Sequence, residues 1–257
     1  MPRARSTAPH STNDENIFLF VPNLIGYGRV VAGLASFYFM LVDGPDRNYY
    51  TKLAALLYLA SGLFDAVDGM AARHFKQSTR FGAVLDMVTD RCATTCLMVT
   101  LGALFAAQPL VAFGMQLLIA LDLSSHWLAM TATLLDPNPN RSHKEIDETQ
   151  NALLRLYYTD KRVLFVVCAM NELFFCMLYL SGRQLEVAAG LGGAACASAG
   201  AIMPPGTPAG QCGAVELVWL ASLPFFAFKQ LTNVIQLVGA SKAIATIDRR
   251  ERAKAKN

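Results

Sequence analysis

The chain has 257 residues, of which 54% are hydrophobic and 16% are charged, with a mean hydropathy of +0.35 and a formal net charge of +3. This composition is more apolar than that of an ordinary soluble domain and favours an integral membrane protein. The small net charge gives no indication of a nucleic-acid partner.

Six apolar segments follow a polar tail at residues 1–15, and each is long enough to cross a bilayer, which takes about 20 helical residues. The short apolar run from Asn16 to Phe20 either lies at the membrane interface as a juxtamembrane segment or simply begins the first span. We therefore predict an all-α integral membrane protein with six transmembrane helices at 16–241 and a basic tail at 242–257. The predicted spans are roughly 22–43, 49–73, 83–106, 109–135, 162–182 and 214–241.

Lysine and arginine are unevenly distributed between the loops of the two sides, and cytoplasmic loops carry the excess. This rule predicts that both termini face the cytosol, which requires an even number of spans. The loop at 183–211 is rich in Gly, Ala, Ser and Pro and is predicted to be a flexible luminal linker. Cys196 and Cys212, both in the predicted luminal stretch from Leu185 to Gly213, would either form a disulfide in an oxidising lumen or remain free.

Four aspartates in the second and third spans form the most informative pattern, D-x2-D-G-x2-A-R-x8-G-x3-D-x3-D. Residues three or four apart lie on one face of a helix, so Asp65 pairs with Asp68 and Asp86 pairs with Asp90. Carboxylates within a membrane need countercharge, and all-oxygen ligand sets favour hard divalent cations such as Mg2+ or Mn2+. The spacing therefore predicts a centre with two metal ions.

Three other residues of the same pattern indicate what such metal ions act on. Gly69 and Gly82 leave room for a ligand to approach the backbone, and Arg73 offers a planar fork suited to a phosphate. Metal ions beside a phosphate-binding arginine favour phosphoryl transfer, in which catalysis is mostly positioning and charge neutralisation.

The frame from Asp65 to Asp90 is identified as the signature of the CDP-alcohol phosphotransferase family. The resemblance implies that family's fold, with Asp65, Asp68, Asp86 and Asp90 as ligands of two metal ions and Asp90 as the catalytic base. The run from Pro22 to Arg29 resembles the family's first-helix element, although Gly26 stands where the family usually has a hydroxyl residue. The residues that the resemblance assigns to the CDP part of the substrate are Asn23, Gly26, Gly69, Arg73 and Thr79.

Four looser segments, at 16–27, 79–87, 125–127 and 171–174, resemble the branch of the family that makes phosphatidylinositol in eukaryotes. That resemblance implies CDP-diacylglycerol and myo-inositol as substrates and CMP as a product. It also implies the endoplasmic reticulum membrane as the location and, by family analogy, a homodimer. The positive-inside rule predicts a cytosolic active site, because the aspartates lie towards the end of the second span and near the start of the third. The basic tail either contacts anionic membrane lipid or forms a solvated helical tail.

Candidates for contacts with the acceptor alcohol come from the fourth span and the loop after it. Asp122 and His126 are four residues apart and either face the acceptor cavity or orient helices by a structural hydrogen bond. Lys144 and Arg155 either contact the acceptor or belong to a solvated loop. Polar residues of the fifth and sixth spans are expected to pair across a helix interface, because isolated charges there are costly; these are Asn171, Glu172 and Lys229.

Three other functions remain open from the sequence. The first is a member of the same family with serine, glycerol 3-phosphate or an amino alcohol as acceptor. The second is an ion or proton transporter, since such proteins also carry acids within the membrane. The third is a non-catalytic membrane scaffold, which the presence of all four aspartates argues against.

Overall fold

The computed structural model describes residues 15–135, 160–183 and 213–256, and within these ranges the long elements are all α-helices. The predicted all-α fold is therefore confirmed. Lys144, Arg155, Cys196 and Cys212 lie outside the described residues, as does most of the loop predicted at 183–211. The helices are α1 (Val21–Leu41), α2 (Arg47–His74), α3 (Arg80–Leu104), α4 (Pro109–Leu135), α5 (Lys161–Gly182) and α6 (Ala214–Lys254).

Five of these six helices are long and apolar enough to cross a membrane: α1, α2, α4, α5 and α6. The remaining helix, α3, has 25 residues, so its length also suffices at 1.5 Å per residue. Its first half carries Arg80, Asp86, Asp90 and Arg91, which lower its hydropathy. Half of the charges that weaken α3 as an apolar span are thus aspartates of the acidic frame.

The first and last helices begin and end at different residues from those of the predicted spans. Before α1, residues Ile17–Leu19 form a separate 3-10 turn, so the apolar run does not simply continue the first span. At the other end, α6 continues to Lys254 instead of ending near residue 241. Residues 242–254 contain neither Gly nor Pro and are rich in good helix formers, which explains why the predicted tail at 242–257 is mostly helical.

Helix α3 holds the fold together because it contacts α1, α4 and α5, while α1 packs along α2 and α6 packs along both α4 and α5. The main apolar core fills the half of this arrangement that contains the end of α1 and the start of α2. Leu97 and Leu101 of α3 are fully buried there, and Phe174 of α5 stacks on Phe226 of α6 with ring centroids 4.1 Å apart. The acidic frame lies in the opposite half, beyond this core.

A buried arginine closes the end of the fold that is remote from the acidic frame. Arg183 follows α5, and its guanidinium donates to Asp43 Oδ1 at 2.8 Å, to the carbonyl oxygen of Val42 at 2.6 Å and to Thr51 Oγ1 at 3.3 Å. This group ties α5 to the junction between α1 and α2.

Candidate active site

The two acidic pairs come together where the last third of α2 faces the first half of α3. Asp65, Asp68 and Asp86 each place a carboxylate oxygen within 4.8 Å of the others. Asp90 lies one turn after Asp86 on α3 and is joined to the group through an arginine. The structure thus brings three of the four aspartates within 4.8 Å of one another and connects the fourth, Asp90, to them through Arg29.

Arg29 of α1 is the cation at the centre of this group. One guanidinium nitrogen lies 2.6 Å from Asp65 Oδ1 and 2.9 Å from Asp86 Oδ1, and the other contacts Asp90. The arginine side chain is only 5% exposed, whereas the three carboxylates keep between a third and a half of their surface exposed. The carboxylates therefore face accessible space on one side and a buried positive charge on the other.

The donor set of this cluster fits a divalent cation. All the candidate ligands are carboxylate oxygens, which are the ligands that Mg2+ and Mn2+ prefer, and three of them already converge within 4.8 Å. Arg29 already places one positive charge against these carboxylates, at 2.6 Å from Asp65 and 2.9 Å from Asp86.

A first pocket, of about 190 Å³, opens on one side of the cluster between α1, the end of α2 and the start of α3. Asp68, Asp86 and Arg29 form its boundary with the acidic cluster. Every residue assigned to the CDP part of a substrate lines this pocket: Asn23, Gly26, Gly69, Arg73 and Thr79.

Local folding explains the shape of this first pocket. Thr79 caps α3 by accepting a hydrogen bond from the Gly82 amide at 3.0 Å, and Asn23 donates to the carbonyl oxygen of Ile17 at 2.6 Å. A Cβ atom on Gly82 would stand 3.0 Å from Asn23 Oδ1 and 3.2 Å from Thr79 Oγ1. A side chain at this position would therefore have to displace Asn23 or Thr79 by a few tenths of an ångström, which would change the pocket wall.

A second pocket, of about 400 Å³, lies on the other side of the cluster between α2, α3 and α5. Asp65, Asp90 and Arg29 form its boundary with the acidic cluster, so Arg29 borders both pockets. Further polar wall residues are Tyr58, Ser61, Arg91, Thr94 and Glu172, and the apolar wall includes Leu59, Leu63, Phe165, Met170 and Leu173. The acidic cluster thus separates two pockets of different composition.

Asp122 and His126 of α4 lie behind the wall of the second pocket and line neither pocket. Asp122 accepts a hydrogen bond from Arg91 at 2.7 Å, and His126 Nδ1 lies 2.8 Å from the carbonyl oxygen of Asp122. The described geometry therefore favours the structural alternative for this pair, in which Asp122 orients an arginine that borders the cavity.

Two residues matter more in the structure than the sequence indicated. Arg29 was part of the first-helix element, yet its place among three aspartates depends on how α1 packs against α2 and α3. Glu172 is predicted to pair across the interface of the fifth and sixth spans; it interacts electrostatically with Lys229 of α6, and its carboxylate also accepts hydrogen bonds from Tyr58 of α2 and Thr94 of α3. Its neighbour Asn171 does make the expected kind of contact, with Gln230 of α6 at 3.1 Å.

Comparison with known proteins gives consistent matches. The family model for CDP-alcohol phosphatidyltransferases matches residues 19–143. A CDP-diacylglycerol--inositol 3-phosphatidyltransferase of Rattus norvegicus is 42% identical over 243 residues, which cover 95% of this chain and 99% of the relative. The proteins of the same name from Homo sapiens and Saccharomyces cerevisiae are 41% and 35% identical over 243 residues, covering 95% of this chain and 99% and 94% of those relatives. No solved structure gives a significant match.

Proposed function

Since the chain belongs to the CDP-alcohol phosphatidyltransferase family, we propose that it transfers the phosphatidyl group of CDP-diacylglycerol to myo-inositol and releases CMP. The observation that carries this proposal is the acidic cluster bordered by two pockets, one lined by every predicted nucleotide contact and one that combines an apolar wall with hydroxyl, carboxylate and arginine side chains. The acceptor is supported by the names of relatives that are 41–42% identical over nearly the whole chain.

Asp65, Asp68, Asp86 and Asp90 would hold two divalent ions, Mg2+ or Mn2+. When bound, these ions supply the positive charge that neutralises a pyrophosphate during phosphoryl transfer. In the first pocket, Arg73 would bind a phosphate oxygen of the CDP part. Thr79, Gly69, Gly26 and Asn23 would shape the wall against the rest of the nucleotide.

Asp90 is the proposed base because it borders the second pocket, where the acceptor would lie. Its carboxylate takes the proton from one hydroxyl of inositol as that oxygen attacks the phosphorus that carries the diacylglycerol. The new bond forms between the inositol oxygen and this phosphorus, and the bond from the same phosphorus to the CMP oxygen breaks. With the attacking group in one pocket and the leaving group in the other, a single displacement needs no covalent enzyme intermediate.

The position in the membrane and the assembly are part of the same proposal. The acidic frame lies at the end of the fold where α1 begins and α6 ends, so termini and active site would face the same, cytosolic side. We place the protein in the endoplasmic reticulum membrane as a homodimer on the strength of the family resemblance. Accessibility of engineered terminal tags in sealed microsomes tests the orientation, and light scattering in detergent tests the dimer.

A transfer assay with purified protein, CDP-diacylglycerol and Mg2+ or Mn2+ tests the reaction. Radiolabelled myo-inositol, inositol 1-phosphate, serine and glycerol 3-phosphate are compared as acceptors. Metal-dependent transfer to myo-inositol alone is the expected result. Transfer to another alcohol would retain the reaction class but refute the acceptor, and transfer to none would refute the proposed activity.

A further inference from the structure

The second pocket contains a carboxylate that the transfer mechanism above does not use. Glu172 of α5 is half-buried and belongs to the pocket wall, whereas its two hydroxyl partners, Tyr58 and Thr94, are buried. A carboxylate inside a membrane domain is costly and is expected to serve a purpose. Its position opposite the acidic cluster suggests a role towards the acceptor.

Hydrogen-bond donors surround Glu172 and leave part of its acceptor capacity unused. Oε1 lies 2.9 Å from the Thr94 hydroxyl and 3.3 Å from the Asn171 amide nitrogen, and Oε2 accepts a hydrogen bond from the Tyr58 hydroxyl. A carboxylate has about four acceptor positions on its two oxygens, so about one remains on Oε2 for a ligand. The Thr94 hydroxyl also lies 3.1 Å from the carbonyl oxygen of Asp90, which connects Glu172 to the turn of α3 that carries the proposed base.

The two arginines that line this pocket are already held by carboxylates. Arg29 contacts Asp65 and Asp90 within the pocket wall, and Arg91 donates to Asp122 at 2.7 Å and lies 3.6 Å from Asp90. Carboxylates therefore already offset the positive charge of both guanidinium groups, which weakens the attraction of this pocket for a phosphate. The second pocket thus offers a negatively charged hydrogen-bond acceptor, Glu172, and two arginines that are already paired with carboxylates. This combination favours binding of a neutral polyol and disfavours binding of an anion.

We propose that Glu172 is a specificity-determining residue: it accepts a hydrogen bond from a hydroxyl of a neutral polyol acceptor and, by its charge, excludes acceptors that carry a phosphate or carboxylate group. This inference rests on the proposed function, because it assumes that the acceptor occupies the second pocket. Tyr58 and Thr94 act as positioning residues that hold the carboxylate towards the pocket.

Glu172→Gln tests both halves of this proposal, because glutamine has nearly the same shape and retains a carbonyl oxygen but no charge. The KM for myo-inositol should rise about 10-fold, since a charge-assisted hydrogen bond becomes a neutral one. The inhibition constant of myo-inositol 1-phosphate should fall about 10-fold, since a nearby negative charge is removed. The KM for CDP-diacylglycerol should stay unchanged, because that substrate's nucleotide occupies the other pocket.

Glu172→Asp separates the hydrogen bond from the charge. The shorter side chain withdraws the carboxylate from the pocket, so the KM for myo-inositol should rise while myo-inositol 1-phosphate remains a poor inhibitor. If the Gln variant does not accumulate as folded protein, an unchanged KM for myo-inositol in the Asp variant overturns the proposal.

Glu216→Gln is the matched control. Glu216 is also a half-buried carboxylate in a membrane helix, and it accepts a hydrogen bond from the Ser181 hydroxyl at 3.1 Å, but it lies at the end of the fold remote from the aspartates. Glu216→Gln should change neither the KM for myo-inositol nor the inhibition constant of myo-inositol 1-phosphate. Equal changes in the Glu172→Gln and Glu216→Gln variants would overturn the proposal. If the unmodified protein itself prefers an anionic acceptor, the proposed function and this inference fail together. If it uses myo-inositol and Glu172→Gln leaves both constants unchanged, only this inference fails.

Discussion

Arg29→Gln should destabilise the protein in a way that divalent metal ions partly reverse. The substitution removes the buried cation that contacts three carboxylates, at 2.6 Å for Asp65, at 2.9 Å for Asp86 and in a short contact for Asp90. Breaking a buried ion pair by removing one partner costs about 3–5 kcal/mol. Because these carboxylates are a third to a half exposed, water screens them, and we expect a loss near the lower limit, about 3 kcal/mol.

The assay is thermal unfolding of purified protein in detergent, with EDTA and again with saturating Mg2+. For a chain of this size a loss of about 3 kcal/mol corresponds to a fall in Tm of about 6–12 °C. In EDTA the variant should show this full deficit relative to the unmodified protein. With Mg2+ at least half of the deficit should disappear, because the ion neutralises the same carboxylates that Arg29 neutralised.

Arg183→Gln is the matched control for this measurement. Arg183 is equally inaccessible to solvent, at 7% exposure, and pairs with Asp43 at 2.8 Å, but it lies at the opposite end of the fold. Its Tm deficit should be the same in EDTA and in Mg2+. An identical Mg2+ response in both variants would refute the reasoning that Arg29 and a metal ion neutralise the same group of aspartates.

Three further substitutions test separate parts of the site. Asp90→Asn should retain binding of a CDP nucleotide, measured by calorimetry, but lower kcat about 10²–10⁴-fold, and full activity would contradict its assignment as the base. Asp68→Asn should raise the Mg2+ concentration needed for half-maximal activity, because one of the three converging ligands is lost; an unchanged metal requirement would exclude Asp68 as a ligand. Gly82→Ala should raise the KM for CDP-diacylglycerol, because the new methyl group would stand 3.0 Å from Asn23 Oδ1. Gly114→Ala is its control, since a Cβ atom at Gly114 meets nothing within 4 Å.

The sequence predicts the acidic cluster well because its information is local. Asp65 and Asp68 share one helix face, as do Asp86 and Asp90, and the short connection between α2 and α3 brings the two faces together. The positions of the helices can also be predicted from local sequence, since each apolar segment is long enough to be recognised by itself. The continuation of α6 to Lys254 agrees with the helical alternative for the tail, because mean hydropathy falls after residue 241 whereas helix propensity does not.

Contacts between distant helices could not be predicted in this way. Arg29 precedes the aspartates by 36 to 61 positions, and Glu172 is separated from Tyr58 by 114 positions. Spacing along one helix shows which residues share a face, but not which neighbouring helix that face meets. For the same reason the sequence pairs Asp122 with His126, four residues away, and does not show that Arg91 of α3 lies between Asp122 and the pocket.

The two pockets differ in the helices that line them, because α5 lines only the second pocket. The first pocket is formed by α1, α2, α3 and the short connection between α2 and α3, which include the whole acidic frame. The second pocket adds α5, which contributes Glu172 and most of the apolar wall opposite α2 and contributes nothing to the first pocket. Under the proposed function, changes on α5 would alter the choice of acceptor while the nucleotide pocket and the catalytic aspartates remain intact. Acceptor specificity would then be separable from phosphoryl transfer only through α5, because α5 lines the second pocket alone whereas α1, α2 and α3 line both pockets.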